Sequence, residues 1–147
     1  MDELVQSMKK CHANTFVMYF KTHSFHWNVE GINFPTYHSF FGDLYEELYS
    51  AVDPIAEEIR ALGVYAPKSL GELYNNCTLT ESDLVGDSVR EMLTSLLIDN
   101  NQVLACLNES FALATTQNNQ GLVNFLADRI DKHKKHGWMI SSSLKGA

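Results

Sequence analysis

The sequence predicts an all-α fold: a four-helix bundle with a short extra helix in the long crossover between the second and third helices. Three observations carry this expectation. Only 3 of the 147 residues are proline, β-branched alternation is scarce, and apolar residues recur at helical spacing through four long segments. The first helix is expected over about Asp2 to Trp27, with Leu4, Met8, Cys11, Thr15, Met18 and Thr22 tracing one face. Asn28 to Phe34 reads as a loop around Gly31, and Pro35 suits the first turn of a second helix. That helix should run to about Leu62, with Gly63 as the left-handed residue beyond its C-cap. Tyr65 to Cys77 contains a short helical piece, Ser69 to Tyr74, with Ser69 as N-cap. In the third helix, Val89, Met92, Leu93, Leu96, Leu97, Val103, Leu104 and Leu107 form the apolar stripe, behind an N-cap at Asp87 and with Glu91 in the first turn. Asn118 to Gly121 should break it before a fourth helix to about Ser143.

At this length, residues 1–147 are expected to form a single domain able to bury a useful core. Hydrophobic residues make up 45 %, an ordinary share for a globular chain. The formal net charge is −7, which disfavours a nucleic-acid partner and suits the attraction of cations. Cys11, Cys77 and Cys106 are odd in number and lack metal-type spacing, so they read as reduced thiols of a cytoplasmic protein. No basic segment followed by an apolar run marks a signal peptide. No stretch approaches the roughly 18 apolar residues of a spanning helix.

The chemistry concentrates between His26 and Glu57. Two imidazoles, His26 and His38, and two carboxylates, Asp53 and Glu57, make a mixed nitrogen and oxygen ligand set that suits iron, zinc or manganese. Asp53 and Glu57 stand one helical turn apart on one face. His38 and Asp53, however, are fifteen residues apart on one expected helix, about 22 Å along its axis. Metal–ligand bonds are about 2 Å, so one helix cannot bring both to one metal. A second copy running antiparallel across a two-fold axis would place His38 of one chain near Asp53 and Glu57 of the other, creating two equivalent sites. Pro54, inside the same helix, removes one hydrogen bond and predicts a kink.

These residues also carry a family resemblance. The run His26-Trp27-Asn28-Val29-Glu30-Gly31, with Asn33-Phe34, His38, the Leu48 to Gly63 segment and the Asp128 to Met139 segment, resembles the Dps family, small ferritin-like proteins. It extends over nearly the whole chain, from about Leu4 to Leu144. The resemblance implies the ferritin-like arrangement of four helices with one long crossover, and a hollow homododecamer that oxidises ferrous iron and stores it. His26, His38, Asp53 and Glu57 would then be both the metal ligands and the catalytic residues. Iron would be the metal, with zinc or manganese as surrogates, and hydrogen peroxide or dioxygen the oxidant, in protection against oxidative stress.

Two departures from the family pattern stand out. The family carries an acidic residue four positions after the second histidine; here that position is Gly42, and the carboxylate is shifted to Asp43. One residue turns a helical side chain by about 100°. A site of His26, Asp53 and Glu57 is therefore complete, while one of His38 and the shared Glu57 is weakened, and Gly42→Asp would be expected to restore it. The family's acidic pore lining is also replaced by amides at Asn118, Asn119, Gln120 and Asn124. Asp43, Glu46 and Glu47 could face an internal cavity, Trp27 could be a core aromatic, and His23, His133 and His136 read as structural or solvated. Lysine-poor tails argue against DNA binding. The alternative function is a shell with a degraded oxidising centre, acting by metal sequestration or DNA association. An intrahelical di-iron ferritin is rejected, because Glu-x-x-His occurs nowhere in the chain.

Overall fold

The computed structural model describes residues 2–81 and 88–147. Five helices follow one another among them: α1 (Asp2–Asn28), α2 (Phe34–Ala61), α3 (Leu70–Asn75), α4 (Val89–Thr116) and α5 (Gln120–Leu144). α1 packs along both α2 and α4, α4 packs along α5, and the short α3 leans on α1. The crossover between α2 and α4 carries α3, as the sequence predicts for a ferritin-like bundle.

Each long helix turns its apolar stripe inward. All six residues predicted for the α1 face, from Leu4 to Thr22, are buried. α2 buries Phe41, Leu44, Leu48, Ala51, Ile55 and Ile59, spaced three or four apart. Each such Leu, Ile or Phe stabilises the fold by roughly 1.5–3 kcal/mol relative to exposure. α4 contributes Met92, Leu93, Leu96, Val103 and Leu107, and α5 contributes Leu122, Leu126 and Ile140.

Local chemistry sets the helix ends. Gly31 at φ +122° and Gly63 at φ +94° occupy the region that favours glycine, and so they reverse the chain after α1 and α2. Ser69 caps α3 by accepting from the Glu72 amide, as the sequence suggests. For α4 the cap is Ser88, in a reciprocal capping box with Glu91; the predicted cap, Asp87, lies outside the described residues. The Asn118–Gly121 break is shorter than expected. Asn118 turns the chain at φ +56°, Asn119 caps α5 at the Leu122 amide, and Gln120 and Gly121 are already helical. α2 stays helical from Phe34 through Pro54 to Ala61.

Two buried polar groups on α4 bind neighbouring helices. Asp99 pairs with Lys21 of α1 at 2.7 Å, and Lys21 also donates to the Thr80 carbonyl. Asn100 donates to the His133 carbonyl of α5 and accepts from His133 Nδ1, both at 2.8 Å. No described helix is long and apolar enough to cross a membrane.

Candidate metal centre

His26 lies in the last turn of α1 and His38 in the second turn of α2, so the short connection between the helices brings them together. Their rings stack with centroids 3.8 Å apart and planes 17° from parallel. Each ring also grips the other residue's backbone: His26 Nδ1 donates to the His38 carbonyl at 2.6 Å, and His38 Nδ1 donates to the His26 carbonyl at 2.7 Å. A carbonyl oxygen only accepts, so each Nδ1 must carry a proton. In the neutral rings that leaves both Nε2 atoms with a lone pair, the form in which imidazole binds a metal. Metal-binding histidines are usually oriented in this way, by a hydrogen bond from the other ring nitrogen to an oxygen that fixes the tautomer and the ring's direction.

The stacking also limits how the rings can be used. An imidazole binds a metal in its own ring plane, and two nearly parallel planes cannot converge on one ion at about 2 Å. Each ring would instead have to serve its own ion.

Asp53 and Glu57 are both exposed on α2. Among the described residues of one chain, no group of three or more His, Cys, Asp or Glu could hold a metal. The histidines are thus brought together, and the two carboxylates stand apart from them on the outer face of the same helix.

Other predicted residues fall differently. Trp27 is not a core aromatic: it is 56 % exposed, resting on His23 at 4.1 Å between ring centroids. His23 lies flat against Tyr45 at 3.7 Å, and its Nδ1 shares a hydrogen bond with the Tyr19 hydroxyl at 3.0 Å. Burial and the neighbouring His26 lower the His23 pKa.

Glu47 does not offer a free carboxylate to a cavity. It is held by His136 Nε2 at 2.6 Å and by both terminal nitrogens of Arg129. Burial alone would raise its pKa, but hydrogen bonds from His136 and Arg129 outweigh this and hold the carboxyl far below its usual range. Arg129 Nη2 also donates to His133 Nε2 at 3.1 Å. Burial, with Arg129 and His136 beside it, keeps His133 well below the ordinary histidine pKa. His133 and His136 are structural, therefore, while Asp43 and Glu46 remain exposed.

A profile of the family described as "Ferritin-like domain" matches residues 7–146. The DNA protection during starvation protein of Brevibacillus brevis is 31 % identical over 90 % of this chain and 89 % of its own. General stress protein 20U of Bacillus subtilis is 29 % identical over 97 % of this chain and 98 % of its own. Among solved structures, Dps from Staphylococcus aureus superposes with a TM-score of 0.91 at 29 % identity, covering 98 % of this chain and 96 % of that one. A Dps protein from Bacillus brevis superposes with a TM-score of 0.90 at 28 % identity, covering 96 % and 94 %. The chain belongs to the Dps family of ferritin-like proteins.

For this Dps chain the sequence had not revealed the histidine clasp, because its acceptors are backbone carbonyls and carry no side-chain signature. Arg129 was missed as well. The signal available was its place four residues before His133, on one face of α5. Nor did the sequence show what Gly42 touches. A Cβ added there would lie 3.1 Å from His26 Cε1 and 3.2 Å from His26 Nδ1.

Proposed function

We propose that this Dps chain is an iron-oxidising, iron-storing mini-ferritin. Ferrous iron is the substrate, bound between subunits by His26 and His38 of one chain and by Asp53 and Glu57 of its two-fold partner. Hydrogen peroxide or dioxygen takes the electrons, and ferric product collects inside a closed shell, the family's dodecamer, in the cytoplasm. The observation that carries this reading is the reciprocal clasp, which leaves both Nε2 lone pairs unprotonated on two rings stacked 3.8 Å apart between centroids. Carboxylate oxygens suit ferric iron, and a low imidazole count lets the ion move on toward the cavity.

The chain's own groups have distinct parts in this scheme. The two histidines hold ferrous iron through nitrogen and keep their Nδ1 protons on backbone carbonyls. Asp53 and Glu57 add negative charge that favours the higher oxidation state. Zinc and manganese would bind as surrogates without completing the reaction. Anomalous diffraction from crystals soaked in ferrous iron tests the reading: density at each two-fold interface, against His26 of one chain and Glu57 of the other, is expected. Iron bound only elsewhere, or oxidation unaffected by loss of these ligands, would sink it.

A second reading draws on Gly42, which supplies no carboxylate to the position served by His38. A shell with one degraded position would sequester metal with slow oxidation. Stoichiometric binding without rapid ferrous oxidation would favour it. The charge of −7 supports weak or absent DNA binding in either case.

A further inference from the structure

We propose that Gly42 is the positioning residue of the metal centre: its bare backbone admits the His26 imidazole against α2, so a side chain at this position unseats a ligand. This inference rests on the reading of His26 as a ligand. It reverses what the family pattern suggests, since in this chain a carboxylate at that position would displace the histidine beside it.

Glycine is an anomalous residue at this point of the helix. Gly42 lies within the 28-residue α2, where alanine would be the more favourable residue. Its φ is not in the left-handed region, so backbone conformation does not demand glycine. Space does. The built Cβ falls 3.1 and 3.2 Å from two His26 ring atoms, tighter than ordinary van der Waals contact.

A flexible neighbour would simply retreat by a few tenths of an ångström, but His26 is held on several sides. Its Nδ1 is fixed to the His38 carbonyl at 2.6 Å. One face stacks on His38 at 3.8 Å, while Tyr45 and His23 stand at 5.2 and 6.0 Å between centroids. The contacting atom Nδ1 is itself the clasp donor, so a shift of the ring that relieves the clash disturbs the bond that sets the tautomer and aims Nε2. Asp43, next along the helix, is exposed and turned by about 100° from this contact. It neither crowds the ring nor replaces the absent carboxylate.

Two measurements on the assembled protein decide this. The first is urea unfolding of metal-free Gly42→Ala with His26 present and in a His26→Ala background. With His26 present the substitution should fail to stabilise or should lower the midpoint. Without the ring, alanine's helix preference should raise it. The second is zinc titration of wild type, Gly42→Ala and Gly42→Asp, with the His26 Nδ1 proton followed by NMR. Both variants should shift or lose that downfield proton and weaken the tighter zinc position about 10–100-fold, the usual effect of disturbing a ligand's supporting bond. Equal midpoint changes in the two backgrounds would overturn the proposal. So would Gly42→Asp binding the first zinc as wild type does, or gaining a second tight one. Wild type binding no zinc would count against the proposed function alone, because the unfolding comparison needs no metal.

Discussion

His26 and His38 support one another through backbone carbonyls, so truncating one side chain leaves the other ring's acceptor in place. The acceptor for His26 Nδ1 is the backbone carbonyl of His38, which survives truncation of the His38 side chain. His38→Ala should therefore keep the His26-based position and reduce ferrous oxidation only moderately. Asp53→Ala or Glu57→Ala removes a proposed ligand, and should lower the oxidation rate by more than about 100-fold, since even outer-shell partners are worth 10–100-fold. Stopped-flow absorbance at the ferric band gives the order of effects; His38→Ala equalling Asp53→Ala would contradict it. A second residue-scale prediction concerns acid. His133 has a depressed pKa, so the unfolded chain binds more protons below its ordinary value of 6.5. Glu47 is also depressed, below its ordinary 4.5. Both contributions are present above those ordinary values and fade as pH falls. Unfolding midpoints should hold near pH 7.5, decline as pH falls below 6.5, and decline more steeply below 4.5. His133→Gln should flatten the upper decline in a thermal scan across pH.

At the scale of elements, α1 is tied to α4 through the Lys21–Asp99 pair, with both side chains nearly excluded from solvent. Burial pushes Asp99 up and Lys21 pulls it back down. Asp99→Ala would leave the Lys21 charge buried with, among the described residues, the Thr80 carbonyl and the Ser95 hydroxyl as its partners. A loss of about 3–5 kcal/mol is expected, as for other buried pairs broken on one side. Lys21→Met with Asp99→Leu should restore most of it, because no unpaired charge remains. Urea denaturation of the two singles and the double checks this, and a double mutant no better than Asp99→Ala would rule it out. The stripes that build the helices were legible in the sequence. Leu4, Met8, Cys11, Thr15, Met18 and Thr22 face inward as their spacing requires. The pairing of Lys21 with Asp99, 78 positions away, was not legible, because helical periodicity carries no information about which charges meet across helices.

At the scale of the whole molecule, the proposed site needs two chains. Full iron affinity should therefore require assembly. Sedimentation velocity paired with iron titration checks it: a stable monomer with undiminished affinity would end the two-subunit account. The same acidic particle should show no tight DNA complex near 150 mM salt, where screening acts over about 8 Å. A gel shift giving a tight complex there would contradict the charge argument.

The sequence alone determined the helical class, the two glycine turns at Gly31 and Gly63, and the candidate ligand set. Each follows from local rules: period, left-handed φ, and donor type at fixed spacing. Tertiary structure decided what those residues touch. It joined His26 and His38 through each other's carbonyls, tied Glu47 to His136 and Arg129, and packed the His26 ring where a Gly42 side chain would lie. Sequence spacing measures distance along a helix, whereas such contacts depend on how one helix is rotated against the next, and that rotation is set by the packed core.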